Sequence, residues 1–206
     1  MNAYRGITIS REYGSGGGSI ARILGERLGW RVIDDCLIAG IAKSARAAPE
    51  AVRAHEETVD PWFHRITKAL WRGGFEGSLS GVDAEAWDAA ATAQLWHRVI
   101  REAAEIGHFV SVGRGGQCLL QKREDVFHIY VYAPMCDRVK RLRDREPAGI
   151  DLAEAARERD RRRAAYIRYH FDQEWTNPHL YHLMLCSSMG VKKAADVVLC
   201  AAGVRS

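Results

Sequence analysis

Residues 5–10, Arg5-Gly6-Ile7-Thr8-Ile9-Ser10, alternate in polarity and run through Arg11 and Glu12-Tyr13 into Gly14-Ser15-Gly16-Gly17-Gly18. From Ser19 to Leu28, the positions of Ile20, Ile23, Leu24 and Leu28 follow a helical spacing, and Gly29 stops the run. The reading is a buried strand, a glycine-rich turn and an amphipathic helix. Glycines in such a turn let backbone N–H groups come close to an anion, and the helix N-terminus adds a favourable dipole.

Outward from this unit the pattern repeats. Arg31-Val32-Ile33-Asp34 reads as a short second strand, and residues 37–48 as a helix that Pro49 interrupts. A further short helix is expected over 50–57. Residues 58–82, with Trp62, Trp71, Gly73-Gly74 and Gly77-Ser78-Leu79-Ser80-Gly81, read as an irregular insert. A long helix is expected over 84–106, its inner face marked by Trp87, Leu95, Val99 and Ala103 and its end by Gly107. A strand over 108–112 ends at Gly113-Arg114-Gly115-Gly116, another covers 126–133, and residues 135–145 read as a basic helix. Asp151-Leu152-Ala153-Glu154 has the pattern of a capping box and opens an Arg-rich helix through Phe171. A last strand over 180–186 and a closing helix over 191–202 complete the chain. Strands that alternate with helices predict an α/β fold, a parallel sheet covered by helices on both faces.

The 206 residues suit one domain, read as 1–206 with an insert over about 45–105. Hydrophobic residues at 47% and charged residues at 27% describe a globular chain that is neither collagen-like nor disordered. No apolar run approaches the roughly 18 residues of a membrane span. No membrane partner is expected, no signal peptide is read at the start, and a cytoplasmic location is the default. Thirty basic residues against 26 acidic ones give a mild charge of +4, which suits a small anionic ligand and argues against a nucleic-acid partner. The five cysteines are scattered with no metal-ligand spacing, and are expected as buried free thiols. The sequence carries no indication of oligomeric state.

Several residues are candidates for chemistry. The standard phosphate loop reads G-x-x-x-x-G-K-[ST]. Gly17-Gly18-Ser19 occupies its end, with Gly18 in place of the Lys and Glu12 in place of the first Gly. Gly14, Ser15, Gly16, Gly17, Gly18 and Ser19 are therefore the candidate phosphate cradle, with the Ser19 hydroxyl on the metal side. Asp34 stands at the carboxyl end of a strand, where ligand crevices form. It is a candidate to position an acceptor or to hold a metal-bound water.

At this point the chain resembles the cytidylate kinase-like family. Ile7-Thr8-Ile9-Ser10-Arg11-Glu12-Tyr13-Gly14-Ser15-Gly16-Gly17 is similar to the family's opening ITISREFGSGGREIA. Val112-Gly113-Arg114-Gly115 is similar to its turn after the third strand. Val131-Tyr132-Ala133-Pro134 with Asp137-Arg138 matches the fourth strand and following helix. Asp160 to Tyr166, Trp175 and Tyr181-His182-Leu183 match its C-terminal D-x-x-R-A-x-Y…W…Y-D-L. The resemblance covers about three quarters of the chain and misses mainly 45–100.

The resemblance implies a P-loop three-layer α/β/α fold with a five-stranded parallel sheet, a helical acceptor-binding insert and an Arg-rich lid over about 141–163. It implies phosphoryl transfer from ATP, with Mg²⁺, to a small-molecule nucleotide, CMP or dCMP first. Positioning and neutralisation of phosphate charge would supply most of the catalysis. On this reading Arg114 meets the acceptor phosphate, and Asp160 and Arg163 handle the base end and the phosphate. Asp160 and Arg163 also satisfy the simpler reading of an i,i+3 ion pair. Of the lid arginines, two or three are expected to matter, with Arg141 and Arg159 as first choices. Gly18 in place of the family's Arg, Asp35-Cys36 in place of Arg-Glu, and Gly115 in place of the Asp of the cytidylate kinase turn keep two alternatives open. These are a nucleotide-binding sensor with impaired catalysis, and a kinase for another small acceptor.

Overall fold

A computed structural model describes residues 4–38 and 89–204. The expected helices over 39–57, the irregular stretch 58–82 and Trp62, Trp71 and Trp87 lie outside the described residues, as does most of the insert.

The described elements run β1 (Gly6–Arg11), α1 (Gly17–Leu28), β2 (Arg31–Ile33), α2 (Ala89–Ile106), β3 (Phe109–Val112), α3 (Gly116–Leu119), β4 (Val126–Tyr132), α4 (Met135–Leu142), α5 (Leu152–Phe171), β5 (Leu183–Cys186) and α6 (Val191–Ala202). The five strands form one all-parallel sheet in the order β2-β3-β1-β4-β5. Both faces of β1 are covered, which is why its burial is continuous although its residues alternate in polarity. Ile7 and Ile9 point to one side and pack with Ile20 and Leu24 of α1 and with Ala194 and Val198 of α6. Burying each such Ile or Leu contributes about 1.5–3 kcal/mol. The other face takes Leu95, Trp96, Val99 and Ile100 of α2 against Phe109 and Ile33, and Ile167 of α5 with Trp175 against Tyr130. This is the three-layer α/β/α arrangement expected from the sequence.

Local signals translate directly. Gly29 ends α1 in the left-handed region at φ 64°, and Asp151 caps α5 by accepting from the backbone N–H groups of Ala153 and Glu154. Glu154 itself pairs with Arg157 and Arg161 on the outer face of the helix. Other boundaries differ from expectation. α1 starts at Gly17, two residues early, because left-handed Gly16 (φ 85°) aims the chain into the helix before the first apolar residue. β5 is shorter than 180–186, since Pro178 starts a 3₁₀ turn over Pro178–Leu180. The single-turn α3 has no apolar period to announce it.

The cysteines are a correction. All five are free, but Cys36, Cys136 and Cys200 are exposed and Cys118 and Cys186 are only partly covered, so none is a buried thiol. Cys200 lies near the end of α6 away from the Ala194–Val198 contact stripe, and a small side chain there is tolerated by water. No described helix is long and apolar enough to cross a membrane.

Candidate functional site

All five strands are parallel, so β1, β2, β3 and β4 deliver their following residues to one edge of the sheet: Glu12 to Ser19, Asp34 to Asp35, Gly113 to Gly115, and Ala133. Ligand crevices form outside this edge.

The glycine loop is a closed turn. Ser15 donates through both its backbone N–H (3.2 Å) and its hydroxyl (2.8 Å) to the carbonyl of Glu12, and is fully buried in doing so. Gly14 (φ 79°) and Gly16 (φ 85°) take left-handed backbone that side-chain-bearing residues rarely adopt. The first-turn N–H groups of α1 have no acceptor inside the helix, so the loop presents donors and the positive end of the helix dipole to the crevice. A Cβ added at Gly18 would meet nothing within 4 Å. The place of the phosphate-loop Lys is therefore open space beside an exposed glycine. One residue on, the Ser19 hydroxyl lies 3.5 Å from the Arg145 guanidinium.

A buried ionic latch holds the loop from behind. Arg138 of α4, 5% exposed, donates through Nε to the Tyr13 carbonyl at 2.6 Å, lies 3.4 Å from Glu12 Oε2 and pairs with Asp160 of α5. Asp160 accepts from the Tyr13 N–H at 2.7 Å. Glu12 also accepts from the Ala133 N–H at 3.0 Å. On the same side, Arg141 donates to the Ser15 carbonyl at 3.2 Å, to the Ser187 hydroxyl at 3.1 Å and to the Ser187 carbonyl at 2.9 Å. Asp160 thus ties the Tyr13 N–H to Arg138 and Arg163, and Arg141 ties the loop carbonyls to Ser187.

Beside the loop opens a cavity of about 370 Å³ lined by Arg11, Asp35, Arg114, Arg159, Arg162 and Arg163, with Tyr166 and Trp175 among its apolar walls. Its charge is lopsided. The Asp35 carboxylate is held by Arg114 (3.1 Å), which leaves a strong excess of guanidinium. Arg114 sits at φ 54°, uncommon for a residue with a side chain, and its guanidinium lies 5.8 Å from the Trp96 ring centre and 5.9 Å from that of Tyr166. Arg159 and Arg163 lie over the Tyr13 ring at 4.9 and 5.4 Å. Burial, first of all, lowers the Arg163 pKa. Burial and a hydrogen bond to Glu146 raise that of the Tyr13 phenol.

The structure brings Arg114, Arg159 and Arg163 of the expected site residues to this cavity. It brings Gly14 to Ser19 to the adjoining loop, and leaves Asp160 and Arg141 behind that loop. Asp34 Oδ1 accepts from the Leu37 N–H at 3.0 Å, which makes it a helix cap at the crevice edge. The expected lid, 141–163, comprises the end of α4, a turn and the first part of α5. Its Arg157 and Arg161 pair with glutamates on an exposed face. Sequence reasoning gave no individual role to Arg11 and Arg138, quoted only within the family match, or to Arg162, one of the lid arginines. The signal available for Arg11 is its place as the charged continuation of the Ile7, Ile9 side of β1.

A parallel 2-3-1-4-5 sheet whose first strand feeds a glycine loop and a helix, beside a cationic cavity, defines a P-loop kinase-type fold. Residues 6–189 match the cytidylate kinase-like family, and the chain belongs to that family. Solved structures agree on the fold. An uncharacterized protein from Eubacterium ventriosum is 19% identical with a TM-score of 0.69, the alignment covering 97% of this chain and 99% of that one. A shikimate kinase from Bacteroides thetaiotaomicron is 13% identical at 0.53, covering 97% and 98%. A shikimate kinase from Acinetobacter baumannii, in complex with shikimate, is 16% identical at 0.51, covering 95% and 91%. No curated relative matches the sequence.

Proposed function

We propose that the protein transfers a phosphoryl group from ATP to a small anionic acceptor, a nucleoside monophosphate, with CMP or dCMP as first candidates. The observation that carries this reading is the cavity beside the glycine loop, where five arginines face one carboxylate. Fork-shaped guanidinium groups suit bidentate phosphate contacts. Such an excess of them is costly to bring together unless a multiply charged ligand arrives. Tyr166, with buried Trp175 beneath it in the cavity wall, supplies an apolar side for a base.

The donor phosphates would lie on the backbone of Gly14 to Gly18. Among the described residues no cluster of three His, Cys, Asp or Glu side chains forms a metal cage. That fits Mg²⁺, which is usually held by one or two protein oxygens plus substrate phosphates. The Ser19 hydroxyl is the oxygen for it, with Asp34 at the same sheet edge to hold a metal-bound water, and the bound ion would neutralise phosphate charge. Arg114, Arg159 and Arg163 would orient the acceptor phosphate and stabilise charge as a phosphate oxygen of the acceptor displaces ADP. Asp160 and Arg141 act as positioning residues by holding the loop.

The open position at Gly18 favours a second reading, a nucleotide binder with impaired catalysis. One experiment separates the two. MgATP is held constant and CMP, dCMP, UMP, AMP, GMP and dTMP are varied, with thermal shift and ADP release read on the same sample. Bound ligand stabilises by RT ln(1 + [L]/Kd) whether or not it reacts. Acceptor-dependent ADP release is the expected result. Thermal shifts without turnover establish the binder, and neither shift nor turnover refutes both. Ser19→Ala is expected to weaken MgATP binding, and unchanged affinity would remove Ser19 from the metal side.

A further inference from the structure

Arg11 has no role so far, yet its surroundings are unusual. It is the last residue of β1 and projects from the same side as Ile7 and Ile9, where the strand leaves the core. Its stem lies against Gly17 of the glycine loop, where an added Cβ would be 2.6 Å from Arg11 Cβ. Its guanidinium lies against Gly113 at the end of β3, where an added Cβ would be 1.7 Å from Nη1. Two glycines from different strand ends therefore make room for this one side chain, which spans from the loop to the acceptor cavity and forms part of its wall.

Among the described residues, no hydrogen bond or ion pair ends on the Arg11 guanidinium. The carboxylates that face it are engaged elsewhere: Asp35 with Arg114, and Asp34 with the Leu37 N–H. Arg163 donates to the Arg11 carbonyl at 2.9 Å and adds a second positive charge beside the first. Burial, then repulsion from Arg163, push the Arg11 pKa down to about 9, which Asp35 and Asp34 only partly oppose. A half-buried cation crowded by like charge gains stability when an anion joins it. Position 18, which carries the cation of a standard phosphate loop, has none to offer.

We infer that Arg11 binds a phosphate group at the junction of the glycine loop and the arginine cavity. The inference rests on the phosphotransferase reading for the source of that phosphate, which is the terminal phosphate of the donor or the phosphate of the acceptor. Its chemistry requires only an oxyanion held by a fork.

The test compares the wild type with Arg11→Met, which keeps the stem over Gly17, and with Arg11→Lys, which keeps the charge without the fork. Unfolding temperature is measured without ligand, and affinities are measured for MgADP, for a non-hydrolysable MgATP analogue, for CMP and for inorganic phosphate. Arg11→Met is expected to unfold no lower than the wild type and to lose tenfold or more in affinity for at least one phosphate ligand. A loss confined to the ATP analogue, with MgADP unchanged, assigns the charge to the donor's terminal phosphate. A loss for CMP and inorganic phosphate assigns it to the acceptor. Arg11→Lys is expected to lose several-fold on the same ligand. A lower unfolding temperature in Arg11→Met, with all affinities unchanged, makes Arg11 a packing residue and overturns the inference. Should Arg11→Met not fold, unchanged affinities in Arg11→Lys overturn it equally. Absence of turnover with every acceptor would sink the kinase reading while leaving these phosphate affinities measurable.

Discussion

Replacing Arg138 by Met tests whether the glycine loop is held by a buried ionic latch. The guanidinium is 5% exposed and serves the Tyr13 carbonyl, Glu12 and Asp160 at once. Met preserves most of the aliphatic volume but leaves two carboxylates without their cation. Removing one partner of a buried ion pair costs about 3–5 kcal/mol. The remaining bonds, Tyr13 N–H and Arg163 to Asp160 and Ala133 N–H to Glu12, place the loss near the lower end, about 3 kcal/mol. In a chain of this size each kcal/mol moves the unfolding temperature by about 2–4 °C, so a fall of about 6–12 °C is expected. Calorimetry with circular dichroism at a matched scan rate would read it. Asp160→Asn can still accept from the Tyr13 N–H, so the double variant should lose clearly less than the sum of the single losses. A fall below about 1 kcal/mol, or strict additivity with Asp160→Asn, would refute the latch. Unchanged stability with lost nucleotide binding would instead put Arg138 on the ligand.

Gly18→Lys introduces a cation into space where its Cβ meets nothing. It should raise stability by up to about 1 kcal/mol through helix propensity and tighten MgATP binding, read by titration calorimetry. Weaker binding would mean that position 18 does not face the donor phosphates. Gly113→Ala should lower stability by about 1–3 kcal/mol, because a side chain at φ 79° is strained, and the Arg11 guanidinium, 1.7 Å from the added Cβ, would have to swing aside. Wild-type stability would show that the end of β3 relaxes out of its left-handed backbone. His128 is 3% exposed, hydrogen-bonded to Thr8 at 2.7 Å, and its pKa is pushed down to about 4 by burial and then by His182. The unfolded chain therefore binds the proton first. Stability is full above about pH 6.5 and is lost as the pH falls towards 4, by about 3 kcal/mol from this residue. Half-buried His97, also lowered to about 4 and chiefly by burial, adds a smaller loss of the same sign. Urea unfolding between pH 7 and 4 should show this slope and His128→Phe should flatten it, while an equal slope in the variant would contradict the assignment.

Fold and loop were legible because their causes are local. Alternating polarity over 5–10, glycines at 14 and 16 and apolar spacing from Ile20 to Leu28 determine a strand, a left-handed turn and a helix whatever lies around them. The Asp151 cap is of the same kind. Element order alone then implied a parallel sheet. What each arginine does was not legible. Arg138, Arg141, Arg157 and Arg163 read alike along the chain, as members of one basic stretch. Only the crossing of α4 and α5 behind the loop buries Arg138 against Asp160, turns Arg141 onto the loop carbonyls, leaves Arg157 to an exposed Glu154 and sends Arg163 into the cavity. Arg11 is the sharpest case. Its strand position is written in the sequence, but its meaning depends on Gly113, about a hundred residues away. Charge type is a property of the residue, whereas the field a charge feels is set by partners that the tertiary structure brings within a few ångströms.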